Sequence, residues 1–416
     1  MLNRFADDKT SQLVAAAVWH ADGFKLLGEA KYSDALVSYN KALAIRENVL
    51  GKEHPDMADS YLGIANVCYS QGDYPRALEC YNKALAIYEK VLGKEHPDTA
   101  RSYNNIAIVY YAQGDYPRAL ECYNKALAIY EKVLGKEHPG TATSYNNIAI
   151  VYDDQGDYPR ALECYNKALA IYEKVLGKEH PGTATSYNNI ATVYSDQGDY
   201  PRALEYCNKD LAICEKVLGK EHPDTAMSYN NISNVYLSQG DYPRALEYHN
   251  KALAIQEKVL GKDHPDTANS YNNIGLVYKA QGDYPRALEC YNKARAIREK
   301  VLGKEHPDTA MSYNNMAIVY KAQGDYPRVL EYHNKALAIR EKVLGKNHKT
   351  TADTCYNLAL AYNHLGNKAE ALRFMAQAHD SYLKSNGADF QRTKNAAAKL
   401  AEWTKNKNFF SSFFKK

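Results

Sequence analysis

His54, His96, His138, His180, His222, His264, His306 and His348 stand 42 residues apart, with no slippage along the chain. A fixed period between about 20 and 50 residues marks an array of one supersecondary unit, which buries its apolar face only against its neighbours. The 416 residues are therefore expected to form one long array, and the usual allowance of roughly 150 residues per domain does not apply.

One period shows what the unit is. From Pro97 to about Ala112, Tyr103, Ile106, Ala107 and Tyr110 recur at offsets of 3, 4 and 7, one face of a helix. The break "QGDY" follows, with Gly114. A second apolar pattern runs from Pro117 to Leu134 through Ala119, Leu120, Tyr123, Ala126, Leu127, Ile129 and Val133. Pro117 suits a first helical turn, where its missing N–H is not needed. Gly135, after the last apolar residue, is free to take the left-handed conformation that ends a helix. The unit is helix, short turn, helix, short turn.

Tyr103-x2-Ile106-Ala107-x2-Tyr110 followed by Ala119-x3-Tyr123-x2-Ala126 resembles the tetratricopeptide repeat. Trp19 and Gly23, with Ala35, Tyr39 and Ala42, match that pattern still better in the first unit. The proline that usually follows the second helix is absent, and the helix continues through Glu131, which lengthens the unit to 42 residues. With "LGKEHPDTA" and "NNIA", this longer unit resembles the repeat of kinesin light chains and their relatives. The resemblance spans about residues 13–385. It implies an all-α, right-handed superhelical solenoid of about nine helix-turn-helix units, with a C-terminal capping helix. The expected divisions are an N-terminal segment 1–12, the array 13–385, a capping helix 386–406 and an aromatic, basic tail 407–416. The cap is read from Leu400 and Trp403 on an amphipathic stretch, since a solenoid needs a cover over its last apolar face.

The Lys-Glu-His-Pro-Asp cluster holds residue types that bind metals and move protons, yet its pattern argues for punctuation. Pro97 fits the first helical position, and Asp98 favours the positive end of the helix dipole. Asp98 becomes Gly140 and Gly182 in the next two copies, and the last copy reads Asn347-His348-Lys349. A catalytic or metal site would not tolerate such losses, and successive histidines lie a whole unit apart, far beyond the ~2 Å of metal ligation. No Gly-rich phosphate loop or nucleophile–base set appears. The expectation is no enzyme, no cofactor and no metal; a hydrolase at the His-Pro-Asp turns is the disfavoured alternative.

Lys plus Arg is 52 and Asp plus Glu 49, a net charge of +3, which gives no reason to expect nucleic acid or a membrane as partner. No segment approaches the ~20 apolar residues of a membrane span, and "MLNRFADDKTSQ" lacks the apolar run of a signal peptide. Of the eight cysteines, Cys80, Cys122, Cys164 and Cys290 share one position in different units, too far apart for the ~7 Å Cα limit of a disulfide. Cys207 and Cys214, two helical turns apart, are also out of reach. Reduced cysteines and a cytoplasmic address are expected. The 37 tyrosines fall mostly at repeating positions of the packed face, which reads as core rather than a base-stacking platform.

Near-identical copies reveal which positions differ. Arg101, Asn104, Asn105, Ile108, Tyr111 and Ala112 lie opposite the packed stripe, and there the copies diverge. The Tyr111 position reads Tyr69, Tyr111, Asp153, Ser195, Leu237, Lys279, Lys321; the Arg101 position reads Asp59, Arg101, Thr143, Thr185, Met227, Asn269, Met311. In the tetratricopeptide family this stripe lines the concave groove, so the resemblance implies that the groove binds a partner's peptide segment. Asn104-Asn105, Asn146-Asn147, Asn188-Asn189, Asn230-Asn231, Asn272-Asn273 and Asn314-Asn315 are unfavourable for helix propensity, and their amides suit a peptide backbone. A ladder between neighbouring units, or simple duplication, explains them equally. Asp153, Asp154 and Asp196, then Leu237, then Lys279 and Lys321, form an acidic-to-basic series suited to orienting an extended peptide. Glu121 and Lys125 form an i,i+4 pair on the solvated face. Asp210 replaces a small packing Ala, and Arg295 a Leu.

The leading expectation is a protein-interaction scaffold or adaptor; a kinesin-light-chain-like cargo adaptor is the alternative. Only about 12 residues precede the first unit, too few for the heptads that join a light chain to its motor, so direct, stable binding to a kinesin heavy chain is not expected. Groove-bound terminal carboxylates, as in co-chaperones, call for Lys or Arg beside the groove Asn. The Asn104 position holds His20, Leu62, Asn or Tyr356, never Lys.

Overall fold

The computed structural model describes residues 2–388 and 390–413, with side chains over 8–388 and 390–404. Among the described residues every regular element is a helix. The chain opens with α1 (Leu2–Gly28), α2 (Tyr32–Leu50), α3 (Pro55–Ser70), α4 (Tyr74–Val91) and α5 (Pro97–Ala112). There follow α6 (Tyr116–Val133), α7 (Pro139–Asp154), α8 (Tyr158–Val175), α9 (Pro181–Asp196) and α10 (Tyr200–Val217). Next come α11 (Pro223–Gln239), α12 (Tyr242–Val259), α13 (Pro265–Ala280) and α14 (Tyr284–Val301). The chain closes with α15 (Pro307–Ala322), α16 (Tyr326–Val343), α17 (Lys349–His364), α18 (Lys368–Asn386) and α19 (Gln391–Phe413). Odd and even helices alternate as the first and second helix of each repeat, which is the expected solenoid. Helix α1 crosses the 12/13 boundary, and the cap α19 starts at Gln391 because Gly387 ends α18. The side chains of the tail 407–416 lie outside the described residues.

The chain forms two compact units. Residues 116–304 make one of them. Within it each repeat is built on fully buried alanines, such as Ala142 and Ala149 of α7 and Ala161 and Ala168 of α8. A side chain that ends at Cβ lets two helix backbones approach closely. Ile190 and Val193 of α9 pack against Ala149, Ala161 and Tyr165, so the core of each repeat is completed by the next. Tyr187 of α9 reaches back to Glu173 of α8 with its hydroxyl, 2.7 Å away, and the same tie recurs between Tyr229 and Glu215 and between Tyr271 and Glu257.

The linker explains the recurring charged cluster. Gly177 stops α8 at φ 94°, a left-handed conformation that costs glycine little. His180 is the N-cap of α9: its Nδ1 accepts the N–H of Gly182 at 3.0 Å. Thr183 Oγ1 donates to Gly177 O at 2.8 Å and fastens the turn. Within the repeat built on α7 and α8, Glu137 of the leading turn pairs with Lys174 near the end of the second helix. His, Glu and Thr of the motif are thus bound into the turn. Inside each repeat the "GDYPR" turn works similarly: Asp157 caps α8 through the N–H of Arg160, and Arg160 Nε returns to Asp157 Oδ2 at 2.6 Å.

The second unit joins residues 1–115 with 305–416. Gln113 Nε2 donates to Ser385 O at 3.2 Å, and Asn386 Nδ2 donates to Ala112 O at 3.0 Å. Gly72 lies so close to His348 that a Cβ there would sit 2.9 Å from its Cα. His348 is the copy that lacks Pro and Asp, yet it still caps its helix through Thr350 N–H. At the C-terminal end, Ala396 and Trp403 of α19 close the core over Phe374, Met375 and Tyr382 of α18.

The cap makes a direct prediction. His180→Ala should destabilise its repeat by about 1 kcal/mol, whereas His180→Asn, which also caps, should retain most of that stability. Thermal unfolding followed by circular dichroism distinguishes the two, and elemental analysis of the purified chain is expected to find no stoichiometric transition metal.

Candidate peptide-binding groove

Within the 116–304 unit the asparagine row lies where consecutive first helices face each other. Asn188 of α9 and Asn231 of α11 line two neighbouring crevices of about 180 Å³ each. One is completed by Ser195, Asp196 and Ser238, the other by Thr185, Asp210, Asp224 and Met227. The first Asn of one repeat and the second Asn of the next therefore look into the same space. Asn104, Asn105, Asn146, Asn147, Asn189, Asn230, Asn273, Asn314 and Asn315 are half-buried, while Asn272 is buried. The Oδ1 atoms of Asn104 and Asn146 are shut from water without a hydrogen-bond partner. Asn230 is differently occupied: its Oδ1 lies 2.8 Å from Nδ1 of His249 on α12. The row is thus not structurally uniform. Sequence alone could not show this, because His249 stands where most copies have Tyr.

The acidic residues do act on one another. Asp153 has an unpartnered Oδ1 and its pKa is pushed up to about 6, first by burial, then by the charges of Asp196 and Asp154. Burial, followed by Asp154, also raises Asp196. Lys279 is half-buried near the end of α13 in this unit, whereas Lys321 is exposed on α15 in the other.

The variable Arg101 position proves to be coupled to a second variable position 29 residues later. Tyr88 donates to Asp59 at 2.6 Å, Arg298 to Asn269 at 2.8 Å and Tyr382 to Asp353 at 2.5 Å. Thr143 and Tyr172 hydroxyls lie 3.2 Å apart. Part of the divergence on this face is therefore matched across the helix pair. Comparing the two positions copy by copy could have found it, since an acid or amide faces Tyr or Arg. On the opposite face Lys125 Nζ meets Glu121 at 2.7 Å, both exposed. Arg295 lies 3.9 Å from Glu299, one turn on. All eight cysteines are free. Among the described residues no group of three His, Cys, Asp or Glu is arranged to hold a metal ion, and no helix is long and apolar enough to cross a membrane.

The tetratricopeptide repeat model matches the chain in overlapping stretches from residue 26 to residue 384. The chain belongs to the tetratricopeptide repeat family. No curated protein matches this array. Among solved structures it is similar to BtubC (BKLC) from P. vanneervenii, with 28% identity over 56% of this chain and 92% of that one, at a TM-score of 0.43. It is similar to a Podosopora anserina putative kinesin light chain with nearly identical repeats, with 32% identity over 50% and 98% and a TM-score of 0.41. A Rap protein complexed with Competence and Sporulation Factor aligns over 93% and 99% at 18% identity and a TM-score of 0.49.

Asp210 stands where the neighbouring repeats have the fully buried Ala168 and Ala252. It is 6% exposed, and burial raises its pKa to about 6 against the opposing hydrogen bonds of Ser228 and Cys214. The folded state thus holds this proton more tightly than the unfolded chain, whose Asp titrates near about 3.9. Its contribution to stability is most favourable below about pH 4 and falls as pH rises to about 6, then stays low. Asp210→Ala should therefore stabilise the protein by roughly 1–3 kcal/mol at neutral pH and by much less near pH 4. Urea denaturation at the two pH values checks the sign.

Proposed function

We propose that this tetratricopeptide array is a protein-interaction scaffold that holds an extended segment of a partner in the groove lined by its first helices. The carrying observation is the sharing of crevices by Asn188 and Asn231 from successive repeats. Side-chain amides that both donate and accept suit a peptide backbone whatever its side chains. Asp153, Asp154 and Asp196 add a negative stretch, with Lys279 further along the same unit, so the groove would favour a segment whose basic part lies toward the Asp residues. A cargo-adaptor role rests only on the 42-residue unit.

Asn188→Ala with Asn231→Ala tests the reading on the partner recovered by affinity capture. Two lost hydrogen bonds of ~0.5–1.5 kcal/mol each should weaken binding roughly fivefold to a hundredfold, with helicity unchanged. Asp153→Lys with Asp154→Lys should mainly slow association and reduce its salt dependence. Glu121→Ala with Lys125→Ala on the solvated face should bind like the parent. Titration at two salt concentrations reads all three; groove variants that bind normally beside a defective Glu121/Lys125 variant would show the groove to be the wrong surface.

A further inference from the structure

A crevice of about 390 Å³, open to solvent on one side, lies within the unit formed by residues 1–115 and 305–416, between its two chain segments. Tyr32, Tyr69 and Tyr74 face it from the first segment; Asp308, Arg340 and His348 face it from the second. Its volume falls within the ~300–1,000 Å³ of small-molecule sites. It is lined by Tyr69 and Met311 of the variable stripe but by none of the paired asparagines.

The hydrogen-bonding inventory of its walls is lopsided. Arg340 is 8% exposed, and its Nη1 donates to Thr350 O at 3.1 Å and to Thr354 Oγ1 at 2.5 Å, both neutral acceptors. Its Nε and Nη2 make no hydrogen bond among the described residues. The carboxylate that acts on it, Asp353, is itself bonded by Tyr382 and Arg392. His348 uses Nδ1 to accept the N–H of Thr350, so its proton sits on Nε2. Burial holds that ring neutral, with a pKa near about 4. The Tyr32, Tyr69 and Tyr74 hydroxyls have no acceptor among the described residues, and burial keeps each of them protonated. The walls thus offer a guanidinium edge, an imidazole N–H and three hydroxyls, against one carboxylate, Asp308. That carboxylate lies 3.8 Å from His306. A buried cation whose hydrogen-bonded partners are all neutral is unfavourable, and an anion at its free edge adds to what the already engaged Asp353 supplies.

We propose that this crevice is a binding site for a small organic monoanion, a flat aromatic carboxylate whose charge meets Arg340 and whose ring lies among the tyrosines. The rings, with Met311 and Leu344, provide the apolar walls for such a body. Asp308 disfavours polyanions and limits the ligand to one negative charge. Because the walls come from both segments, the bound ligand ties residues 32–74 to residues 307–350.

Arg46 supplies an internal control. It occupies the same position in the first repeat and makes the same kind of bonds, to Ser60 Oγ at 2.7 Å and Asp56 O at 3.0 Å, but it does not line the crevice. Calorimetric titration of the full chain with benzoate should show saturable binding. Benzamide, acetate and phenyl phosphate should each bind at least about tenfold more weakly. Arg340→Met should weaken benzoate by about tenfold or more, and Arg46→Met should leave it unchanged. Tyr69→Phe with Tyr74→Phe, which removes only hydroxyls, should weaken it measurably even if Arg340→Met does not fold. Benzoate should also slow amide exchange in both wall segments of the parent. No saturable binding up to the solubility limit, equal effects of the two arginine variants, or benzamide binding as well as benzoate overturns the proposal.

Discussion

Close approach of helix backbones over fully buried alanines is the constraint on which the repeats depend. Ala142, Ala149, Ala161 and Ala168 have no exposed surface, and nothing larger than a methyl group separates the helices there. That spacing brings the Tyr187 hydroxyl within reach of Glu173 and lets Tyr165 fill the joint with the next repeat. A bulky residue at one of these positions would force the pair apart, and a polar one must find a partner at the joint. Asp210 is the test of this within the chain. It stays in the joint by bonding to Ser228 and Cys214, and it carries a raised pKa as the mark of its burial.

Much of this was legible in the chain itself. The period, the alternating apolar stripes and the two glycine turns defined the helices of a repeat to within a residue, because each is a local signal copied many times. The histidines were recognisable as turn residues, since Pro and Asp vary around them while His remains. Their part as N-caps was not recognisable, because imidazole is not among the usual capping groups. Contacts between residues far apart in sequence were also hidden. The match of Tyr88 with Asp59, or Arg298 with Asn269, joins a position that looked freely variable to one 29 residues further along the chain. Asn230 illustrates the same limit: its neighbour in sequence lines a crevice, while its own carbonyl meets His249.

The two kinds of contact respond differently to a change in repeat number. Ties such as Tyr187 to Glu173 span 14 residues and recur at Tyr103, Tyr145, Tyr229 and Tyr271, so losing or gaining one of these 42-residue periods leaves the others with an equivalent partner. The bonds joining Gln113 to Ser385 and Asn386 to Ala112 span 272 and 274 residues and occur once. They pair particular copies, and the departures at His348 and beyond Gly387 belong to those copies alone. Within the unit that holds them, Ser385 and Asn386, which have no equivalent in the other copies, thereby mark which copies meet.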